Sequence, residues 1–592
     1  MQEQSFFVEY VVIFLYMIFM LIAGFCFRKF IRNHSDYFRS GCQGSWWLVG
    51  SSVFMFSFSA WTFTGAAGVA YKSGLSVAVI FLANALGYLS NMLVTAKYFR
   101  NMRAHTYPEV VQDRFNRVTQ QFYVWIGVLP GIFTSALTLL GVSVFASAVF
   151  GFQLEYVVVF LGIAVLVYAT IGGSWSVMAT DFLQAMILMP LAVLITILSL
   201  QHIGGLNVLF STLQETAGME NMLRFVDPDP QSSFSQTWAA AMILFVFLSY
   251  NSVTASVKFF TTKDGKGATK AAGLSMILMI VGAFIWFIPP IVARLSFPEL
   301  VDAVNIPNPT EASYAVIALQ LLPRGLSGLL VVAMFAATMS SVDSQLNQFA
   351  GIVTLNIYRP LMRPKASRKE LFLVGQLSSV FVGLSIITAA VYFTRQEDFG
   401  LFEYMLTFGS LFATPMIVPM VCAIFIRKAP WWSAMFSTLV GATFSFIGWR
   451  SGWAYEVNVF TIASAGFIGF LLTTPFWKFE TAEYKEKVAI FFEKMNRPVD
   501  FEDEVGVGND SVQLKILGYV AFSIGIFLFL LLFLPNPLSG RLQILALSVV
   551  ITIFGGILVK LSGRYVETEA RQLERWKQVQ KSLNKMEDES DE

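Results

Sequence analysis

The stretch LLPRGLSGLLVVAMFAATMSSVDSQLNQFAGIVTLNIY, residues 321–358, has the length and apolarity of a membrane-spanning helix. Its middle also carries polar residues, namely Ser340, Ser341, Asp343, Ser344, Gln345, Asn347 and Gln348. Polar side chains at bilayer depth cost several kcal/mol unless they face a cavity, an ion or one another. The stretch therefore predicts a membrane helix whose polar face has a partner.

Helical spacing places four small or polar residues on one face of this helix. They lie at i, i+3, i+4 and i+7, as Ala337, Ser340, Ser341 and Ser344. Hard monovalent cations prefer oxygen ligands of the hydroxyl kind. Serines in membrane helices also commonly hydrogen-bond to their own i−4 carbonyls or to a neighbouring helix. Asp343 in the same turn favours an ion site over that alternative.

The same stretch resembles the signature helix of the sodium/solute symporter family, which includes sodium-coupled transporters of sugars, proline and sialic acid. The matching residues are LPRGL at 322–326, AATMSSVDS at 336–344 and IYRP at 357–360. One departure is Asn356, where many members carry an acid. The resemblance implies an all-α LeuT-like fold of five plus five helices in an inverted repeat, with Na⁺ as the coupling ion.

The composition fits a polytopic membrane protein. The chain has 592 residues, of which 56% are hydrophobic and 13% charged, and its mean hydropathy is +0.64. A net charge of +2 suggests no nucleic-acid partner. The three cysteines and three histidines are scattered, and no nucleophile–base pair, phosphate loop or metal motif appears, so we expect neither a metal centre nor an enzyme.

About fifteen apolar runs are long enough to cross a bilayer. They lie near residues 8–27, 46–70, 75–99, 121–149, 154–171, 179–200, 236–259, 271–296, 324–357, 370–394, 402–427, 431–450, 457–476, 515–535 and 541–562. The first run lacks a cationic flank and a cleavage site, so we expect a retained span. Lysine and arginine concentrate in alternate loops, which predicts the N-terminus outside and the C-terminus inside.

The second run is interrupted by Ser57, Ser59, Thr62 and Thr64 and by a glycine-rich GAAG at 65–68. Non-helical backbone at membrane depth persists where it lines a cavity, although small residues also serve close helix packing. The run resembles the first discontinuous helix of the family. That resemblance implies a sodium site made by the carbonyl groups of Met55 and Phe58 with three signature-helix residues, Ala337, Ser340 and Ser341.

Asp181 follows a GGSWSVMAT segment at 172–180 that is similar to a family motif. A capping or solvated carboxylate is one interpretation of this acid. The resemblance implies another, in which Asp181 approaches Ser340, Asp343 and Ser344 and holds a second cation. The two acids sharing a proton is a third.

A second polar interruption, SYNSVT at 249–254, predicts another broken helix, and two broken helices in corresponding positions indicate an inverted repeat with its site near the bilayer midplane. The predicted divisions are an N-terminal span and loop (1–45), the two repeats (46–235 and 236–430), additional spans (431–476), a cytoplasmic insert (477–514), two final spans (515–562) and a charged tail (563–592). Candidate solute contacts by position are Ser57, Trp61, Thr62, Tyr88, Asn251, Ser252 and Phe408.

These observations and the resemblance predict a sodium-coupled symporter in the cell membrane that imports a small solute, either a sugar or another neutral or zwitterionic molecule. Its predicted partners are that solute, sodium and the lipid bilayer. The alternatives are a proton-coupled symporter, a non-transporting sensor on the same scaffold, and a sodium-conducting channel. The sequence identifies neither the solute nor the number of ions.

Overall fold

A computed structural model describes residues 40–229, 232–396 and 400–590, together with Glu9, Val11, Val12, Phe14, Leu15 and Ile18. Most of the first predicted span therefore lies outside the described residues. The described part is helical and contains no β-strand, only two isolated bridges, Gly44 with Thr262 and Asp227 with Ser235. The predicted all-α class is confirmed for this part.

Twenty-three α-helices are present in the described residues. The first twelve are α1 (Trp46–Phe56), α2 (Gly65–Ser73), α3 (Ala78–Ser90), α4 (Ala96–Asn101), α5 (Tyr107–Arg114), α6 (Arg117–Phe150), α7 (Leu154–Ile203), α8 (Leu206–Glu215), α9 (Gln236–Asn251), α10 (Gly265–Ile285), α11 (Ile288–Ser296) and α12 (Pro298–Asp302). The others are α13 (Ser313–Leu321), α14 (Leu326–Gly351), α15 (Arg368–Thr394), α16 (Leu401–Phe408), α17 (Thr414–Phe425), α18 (Ser433–Ser451), α19 (Tyr455–Thr473), α20 (Ala482–Asn496), α21 (Phe501–Glu504), α22 (Asp510–Leu530) and α23 (Leu538–Ser590).

Short helical segments of other types join some of these helices. The 3₁₀ segments are Ser40–Cys42, Ala60–Phe63, Gly74–Val77, Val253–Thr261, Pro309–Ala312, Thr474–Phe479 and Leu531–Phe533, and the π-helical segments are Asn91–Thr95, Ile352–Met362 and Gly409–Ala413. They fall mainly at breaks and bends.

In the described residues, nine helices are long and apolar enough to cross a membrane, or ten if α9 and Val253–Thr261 form one span bent by 52°. Trp46–Phe56 is a shorter apolar helix, and Leu154–Val167 and Leu326–Phe335 are shorter apolar segments of α7 and α14. The two runs predicted at 154–171 and 179–200 both fall within α7. This count of the described residues does not confirm the predicted number of fifteen.

The helices form two groups that meet at the centre. In one group α1, α3, α9 and α10 pack on one another, and in the other α6, α7, α14 and α15 do so. Helix α1 contacts both α7 and α14 of the second group. The signature helix α14 and the broken helix α1 therefore face each other, as the family resemblance implied.

An aromatic cluster packs against the end of α1. The ring of Trp286 lies 4.6 Å from that of Phe58, 6.2 Å from that of Phe54 and 5.2 Å from that of Phe81, measured between centroids. A side chain at Gly282 would lie 2.1 Å from the Trp286 ring, so only glycine lets this indole pack against its own helix. The buried rings hold the end of α1 in place because tightly packed aromatic groups resist displacement.

Residues 477–509 cover one end of the helices, which we call the insert end. Arg103 pairs with Glu504 through two hydrogen bonds of 2.7 and 2.6 Å. It also donates to the backbone carbonyls of Lys494, Arg497 and Pro498. Arg103 has a φ of 58°, a left-handed conformation that is unfavourable outside glycine and that these bonds stabilise.

A second buried arginine joins the same end to α17. Arg114 is fully buried and donates to the carbonyls of Ala423 and Ile426, where α17 ends, and its guanidinium lies 3.3 Å from the hydroxyl of Tyr484 in α20. Burial lowers the pKa of the guanidinium, yet arginine retains its charge in proteins. A cation beside the carboxyl end of a helix is stabilising.

Candidate functional site

The break after α1 follows from local competition for backbone hydrogen bonds. Ser59 has an extended backbone (φ −145°, ψ 175°), and its hydroxyl accepts from the Trp61 N–H at 3.3 Å. The Thr64 hydroxyl donates to the Ala60 carbonyl at 3.0 Å. Serine and threonine side chains offer the backbone alternatives to the α-helical ladder in this way. The carbonyls at the end of α1 are consequently left without α-helical partners.

Four oxygen atoms converge at this break. The Ser341 Oγ lies 3.4 Å from the Met55 carbonyl oxygen, 3.3 Å from that of Phe56 and 3.3 Å from that of Phe58. Ser341 is buried, with 3% of its surface exposed. One hydroxyl proton serves one acceptor, so the remaining carbonyl oxygens form a concentrated negative potential that suits a cation.

The cluster contains three of the five residues predicted for the sodium site, Met55, Phe58 and Ser341. The Phe56 carbonyl was not predicted; it joins because the chain turns between α1 and Ser59. The side chains of Ala337 and Ser340, and those of Asp343 and Ser344, lie outside the described residues. Thr338, also unpredicted, accepts from the Ala60 N–H at 3.0 Å and ties the break to α14.

Asp181 belongs to a buried polar triad beside this cluster. Its Oδ2 accepts from the Ser52 hydroxyl of α1 and lies 3.4 Å from the Lys258 ammonium, which in turn lies 2.7 Å from the Ser52 Oγ. Asp181 has no exposed surface. A positive charge therefore already stands beside Asp181, and Lys258 was not among the predicted site residues.

Asn356, where many members of the family carry an acid, accepts from the Thr106 hydroxyl at 3.1 Å. The backbone carbonyl of Asn356 accepts from the side-chain amide of Gln121 at 2.7 Å. A neutral amide therefore makes the contacts at this position.

Trp61 is the predicted solute residue with the clearest unused polar atom. Its ring stacks on Phe402 at 5.7 Å and lies 6.3 Å from that of Phe81. Its buried Nε1 has no hydrogen-bond partner among the described residues. A side chain at Gly65 would lie 2.7 Å from this nitrogen, so the glycine allows the indole to sit against α2. Buried donors are nearly always paired, which makes Trp61 a candidate donor to a bound molecule.

Two other predicted solute residues, Ser57 and Thr62, lie at the same break. Ser57 is half-buried, and its hydroxyl lies 2.5 Å from that of Tyr88. Thr62 is 1% exposed. Tyr88 donates to the Val53 carbonyl at 2.9 Å and packs edge-on against Tyr250 at 4.6 Å.

Asn251 and Ser252 lie at the second break, where α9 ends. The Asn251 amide donates to the Ser90 hydroxyl at 2.6 Å and to the Phe247 carbonyl at 2.8 Å, and its Oδ1 accepts from Thr95 at 2.9 Å. Ser252 is fully buried, and its hydroxyl bonds to that of Thr254. The side-chain polar atoms of both residues are therefore engaged by the protein itself.

Phe408 lies in a different cluster. Its ring packs on Phe133 at 5.7 Å and on Phe412 at 5.3 Å. It also lines a cavity of about 650 Å³ between α16 and α18, together with Tyr404 and Trp449. The structure therefore groups Phe408 with these residues and not with the Trp61 rings.

A loop closes the end opposite the insert, which we call the loop end. Glu311 in Pro309–Ala312 is 3% exposed and accepts from the Leu401 N–H at 3.0 Å and from the Asn308 amide at 3.2 Å. Burial raises the pKa of this carboxyl to about 7. The loop also packs against α2. Glu311 thus joins the loop to the first residue of α16, next to Phe402.

Comparison with known proteins identifies the family to which the chain is similar. The model of the sodium:solute symporter family matches residues 37–441. The sodium/glucose cotransporter 2 of Rattus norvegicus is 27% identical over 476 residues, covering 72% of this chain and 69% of that protein. The osmoregulated proline transporter of Bacillus subtilis is 26% identical over 467 residues, covering 77% and 91%.

A solved structure supports the fold. The substrate-bound, outward-open structure of a Na⁺-coupled sialic acid symporter aligns with a TM-score of 0.67 at 22% identity, covering 78% of this chain and 98% of that one. The sequence identity between the two chains is low, so the similarity concerns the fold alone.

Many apolar helices, two buried helix breaks and an oxygen cluster at the first of these breaks are features of a multi-pass membrane transporter. The chain belongs to the sodium:solute symporter family. The predicted family is confirmed, and so is the prediction that the protein is a transporter and not an enzyme.

Proposed function

We propose that this protein is a secondary active symporter that couples the entry of sodium to the import of a small organic solute. The observation that carries the proposal is the oxygen cluster of Ser341 with the carbonyls of Met55, Phe56 and Phe58. Sodium bound there would coordinate the carbonyl oxygens at the end of α1 and hold α1 against α14. Ala337 and Ser340, one turn along and adjacent on α14, are proposed as further ligands.

We further propose one sodium ion per cycle. The Lys258 ammonium contacts Asp181 and Ser52 and neutralises the buried carboxylate. A second cation at Asp181, Asp343 and Ser344 would have to enter beside this fixed positive charge, which costs several kcal/mol in a poorly solvated interior.

The energy of one ion suffices for concentrative uptake. A potential of about 100 mV contributes about 2.3 kcal/mol per charge, and a tenfold sodium gradient adds about 1.4 kcal/mol. Together they support roughly 500-fold accumulation of a neutral solute. This coupling distinguishes a symporter from a channel, which dissipates the gradient, and from a sensor, which moves no solute.

The solute is proposed to be a neutral or zwitterionic molecule with hydrogen-bond acceptors. Trp61 offers a stacking surface and an unpaired Nε1 donor, and Ser57 and Thr62 are close in sequence. The relatives include a sodium/glucose cotransporter and a proline transporter. Tyr88, Asn251 and Ser252 make protein contacts with their side chains, so we assign them to supporting the site, and Phe408 to the cavity beside α18.

The proposed orientation places the insert end in the cytoplasm, within the cell membrane. The cationic loops after α4 and after Val253–Thr261 lie at this end, in agreement with the positive-inside rule. The loop end would then face outward, with Glu311 and Phe402 above Trp61. We retain the predicted divisions, with two repeats at 46–235 and 236–430 and the insert at 477–514.

Transport into proteoliposomes tests the proposal. The purified protein is reconstituted and given labelled glucose, myo-inositol, proline or sialic acid with an inward gradient of sodium or potassium. We expect one of these solutes, or a close analogue, to accumulate above its external concentration with sodium alone. Accumulation that is equal in potassium, or that follows a proton gradient, would contradict sodium coupling.

A further inference from the structure

One surface of α3 and of the π-helical turn after it reaches both helix breaks. It is formed by Tyr88, Asn91 and Thr95, and we call it the bridging face. All three residues are buried. The face lies in the group of helices that contains both α1 and α9.

At the first break, the bridging face caps α1. The Tyr88 hydroxyl donates to the Val53 carbonyl at 2.9 Å and is joined by the Ser57 hydroxyl at 2.5 Å. Val53 lies in the last turn of α1, and its carbonyl also accepts from the Ser57 N–H at 3.4 Å. Met55, two residues later, supplies a carbonyl to the Ser341 oxygen cluster. The hydroxyl of Tyr88 therefore holds in place the last turn of α1, whose backbone supplies the proposed sodium ligands.

At the second break, the bridging face caps α9. The Asn91 amide donates to the Tyr250 carbonyl at 2.8 Å, one residue before α9 ends. The Thr95 hydroxyl donates to the Asn251 Oδ1 at 2.9 Å and accepts from the Asn91 amide at 2.8 Å. The chain beyond α9 then bends by 52°. These bonds satisfy backbone and amide groups that the bend would otherwise leave unpaired.

The π-helical turn makes this double contact possible. The Ala96 N–H donates to the Asn91 carbonyl, five residues back, so Asn91–Thr95 holds one more residue than an α-helical turn. Such turns are rare and are frequently found at functional sites. Here the turn lies where Asn91 reaches α9 and Tyr88, three residues earlier, reaches α1.

We propose that the bridging face is a positioning element that couples the two helix breaks, so that sodium binding at α1 depends on the state of α9. Tyr88, Asn91, Thr95 and Asn251 then act by holding backbone in place and do not contact solute. This inference rests on the proposed sodium site. It predicts that a change at Asn91, on the side of α9, alters the sodium response at α1.

The test compares two matched pairs of variants in the purified full-length protein. Tyr88→Phe removes a buried hydroxyl, and Tyr123→Phe removes one that lies 3.1 Å from the Ala434 carbonyl, away from both breaks. Asn91→Leu removes an amide group that donates to a backbone carbonyl. Asn458→Leu, in α19, removes an amide group that donates to the Trp453 carbonyl. Thr95→Val is a milder change, which serves if Asn91→Leu does not fold. Melting temperature is measured against sodium chloride with potassium chloride as the reference.

In the wild type we expect sodium-specific stabilisation with a defined half-saturation. Tyr88→Phe, Asn91→Leu and Thr95→Val should raise that half-saturation by about two- to tenfold, the effect of one lost hydrogen bond. Tyr123→Phe and Asn458→Leu should lower the melting temperature in both salts and leave the half-saturation unchanged. Bridging-face variants that behave like these controls would overturn the inference. A wild type without any sodium response would instead refute the proposed function.

Discussion

At the scale of single residues, three side chains decide the electrostatics of the buried sites. Ser341 adds a hydroxyl oxygen to three carbonyls and no charge. Lys258 adds a fixed positive charge beside Asp181. Glu311, at the loop end, is a carboxyl that burial makes easier to protonate. A mobile cation is therefore expected at Ser341 and not at Asp181. At Glu311 we expect binding and release of a proton.

Lys258→Met tests the assignment of one sodium ion. Without the ammonium, Asp181 keeps its hydrogen bond to Ser52 but loses the positive charge beside it, which should destabilise the protein in potassium. Sodium should partly restore the stability, and the sodium dependence should become steeper, with a Hill coefficient above 1. Lys258→Arg keeps the charge and should retain the wild-type curve. A Lys258→Met protein with unchanged affinity and a Hill coefficient of 1 would argue against this role.

Glu311→Gln tests whether the buried carboxyl at the loop end makes stability depend on pH. The pKa of Glu311 is raised from 4.5 to about 7 in the folded protein, so protonation favours the folded state. The contribution is fully present below about pH 4.5 and is lost as the pH rises through about 7. It amounts to at most about 3 kcal/mol.

Lys72 on α2 and Glu403 on α16 are the charged groups that act on this carboxyl; Lys72 lowers its pKa and Glu403 raises it. Melting temperature measured from pH 5 to pH 8 should fall more steeply for the wild type than for Glu311→Gln. Parallel curves would show that Glu311 does not contribute to the pH dependence.

At the scale of elements, the sequence predicted the broken helix after Phe56 because serine, threonine and glycine interrupt an apolar run there. It also predicted Met55, Phe58 and Ser341, through the resemblance of residues 321–358. It could not predict the Phe56 carbonyl or the Lys258–Asp181 contact. The first depends on backbone dihedral angles at the break, and the second joins residues 77 positions apart on different helices.

The polar residues of the second break show the limit of position-based prediction. Asn251 was expected to contact solute because it lies in a polar interruption. Its side chain instead bonds to Ser90, Phe247 and Thr95. Polar residues at a helix break satisfy the backbone as readily as a ligand, and only the three-dimensional partners distinguish the two.

Arg103→Ala tests the attachment of the insert. The side chain of Arg103 is 20% exposed and that of Glu504 33% exposed, and the arginine also donates to three backbone carbonyls of the insert. Its loss should expose residues 496–509 and increase their rate of cleavage by protease several-fold. Arg395→Ala removes a more exposed pair with Glu155 and should leave that rate unchanged. Equal cleavage in the two variants would show that Arg103 does not hold the insert.

At the scale of the whole molecule, the two groups of helices meet at α1, α7 and α14, where the oxygen cluster lies. Relative movement of the groups would separate Ser341 from the α1 carbonyls, so an ion held by both sides favours one arrangement over the other. The insert and the Glu311 loop join elements at opposite ends, and each is placed to affect that movement.

The most direct test of the account is sodium binding by the wild type and by Ser341→Ala, measured as melting temperature against sodium, potassium and choline chloride at constant ionic strength. Ser437→Ala, which removes a buried serine donor to the Gly466 carbonyl in α19, is the control. We predict saturable stabilisation by sodium alone in the wild type and in Ser437→Ala, with a weaker response in Ser341→Ala. Identical curves in all three salts, or a full sodium response in Ser341→Ala, would contradict the proposed site.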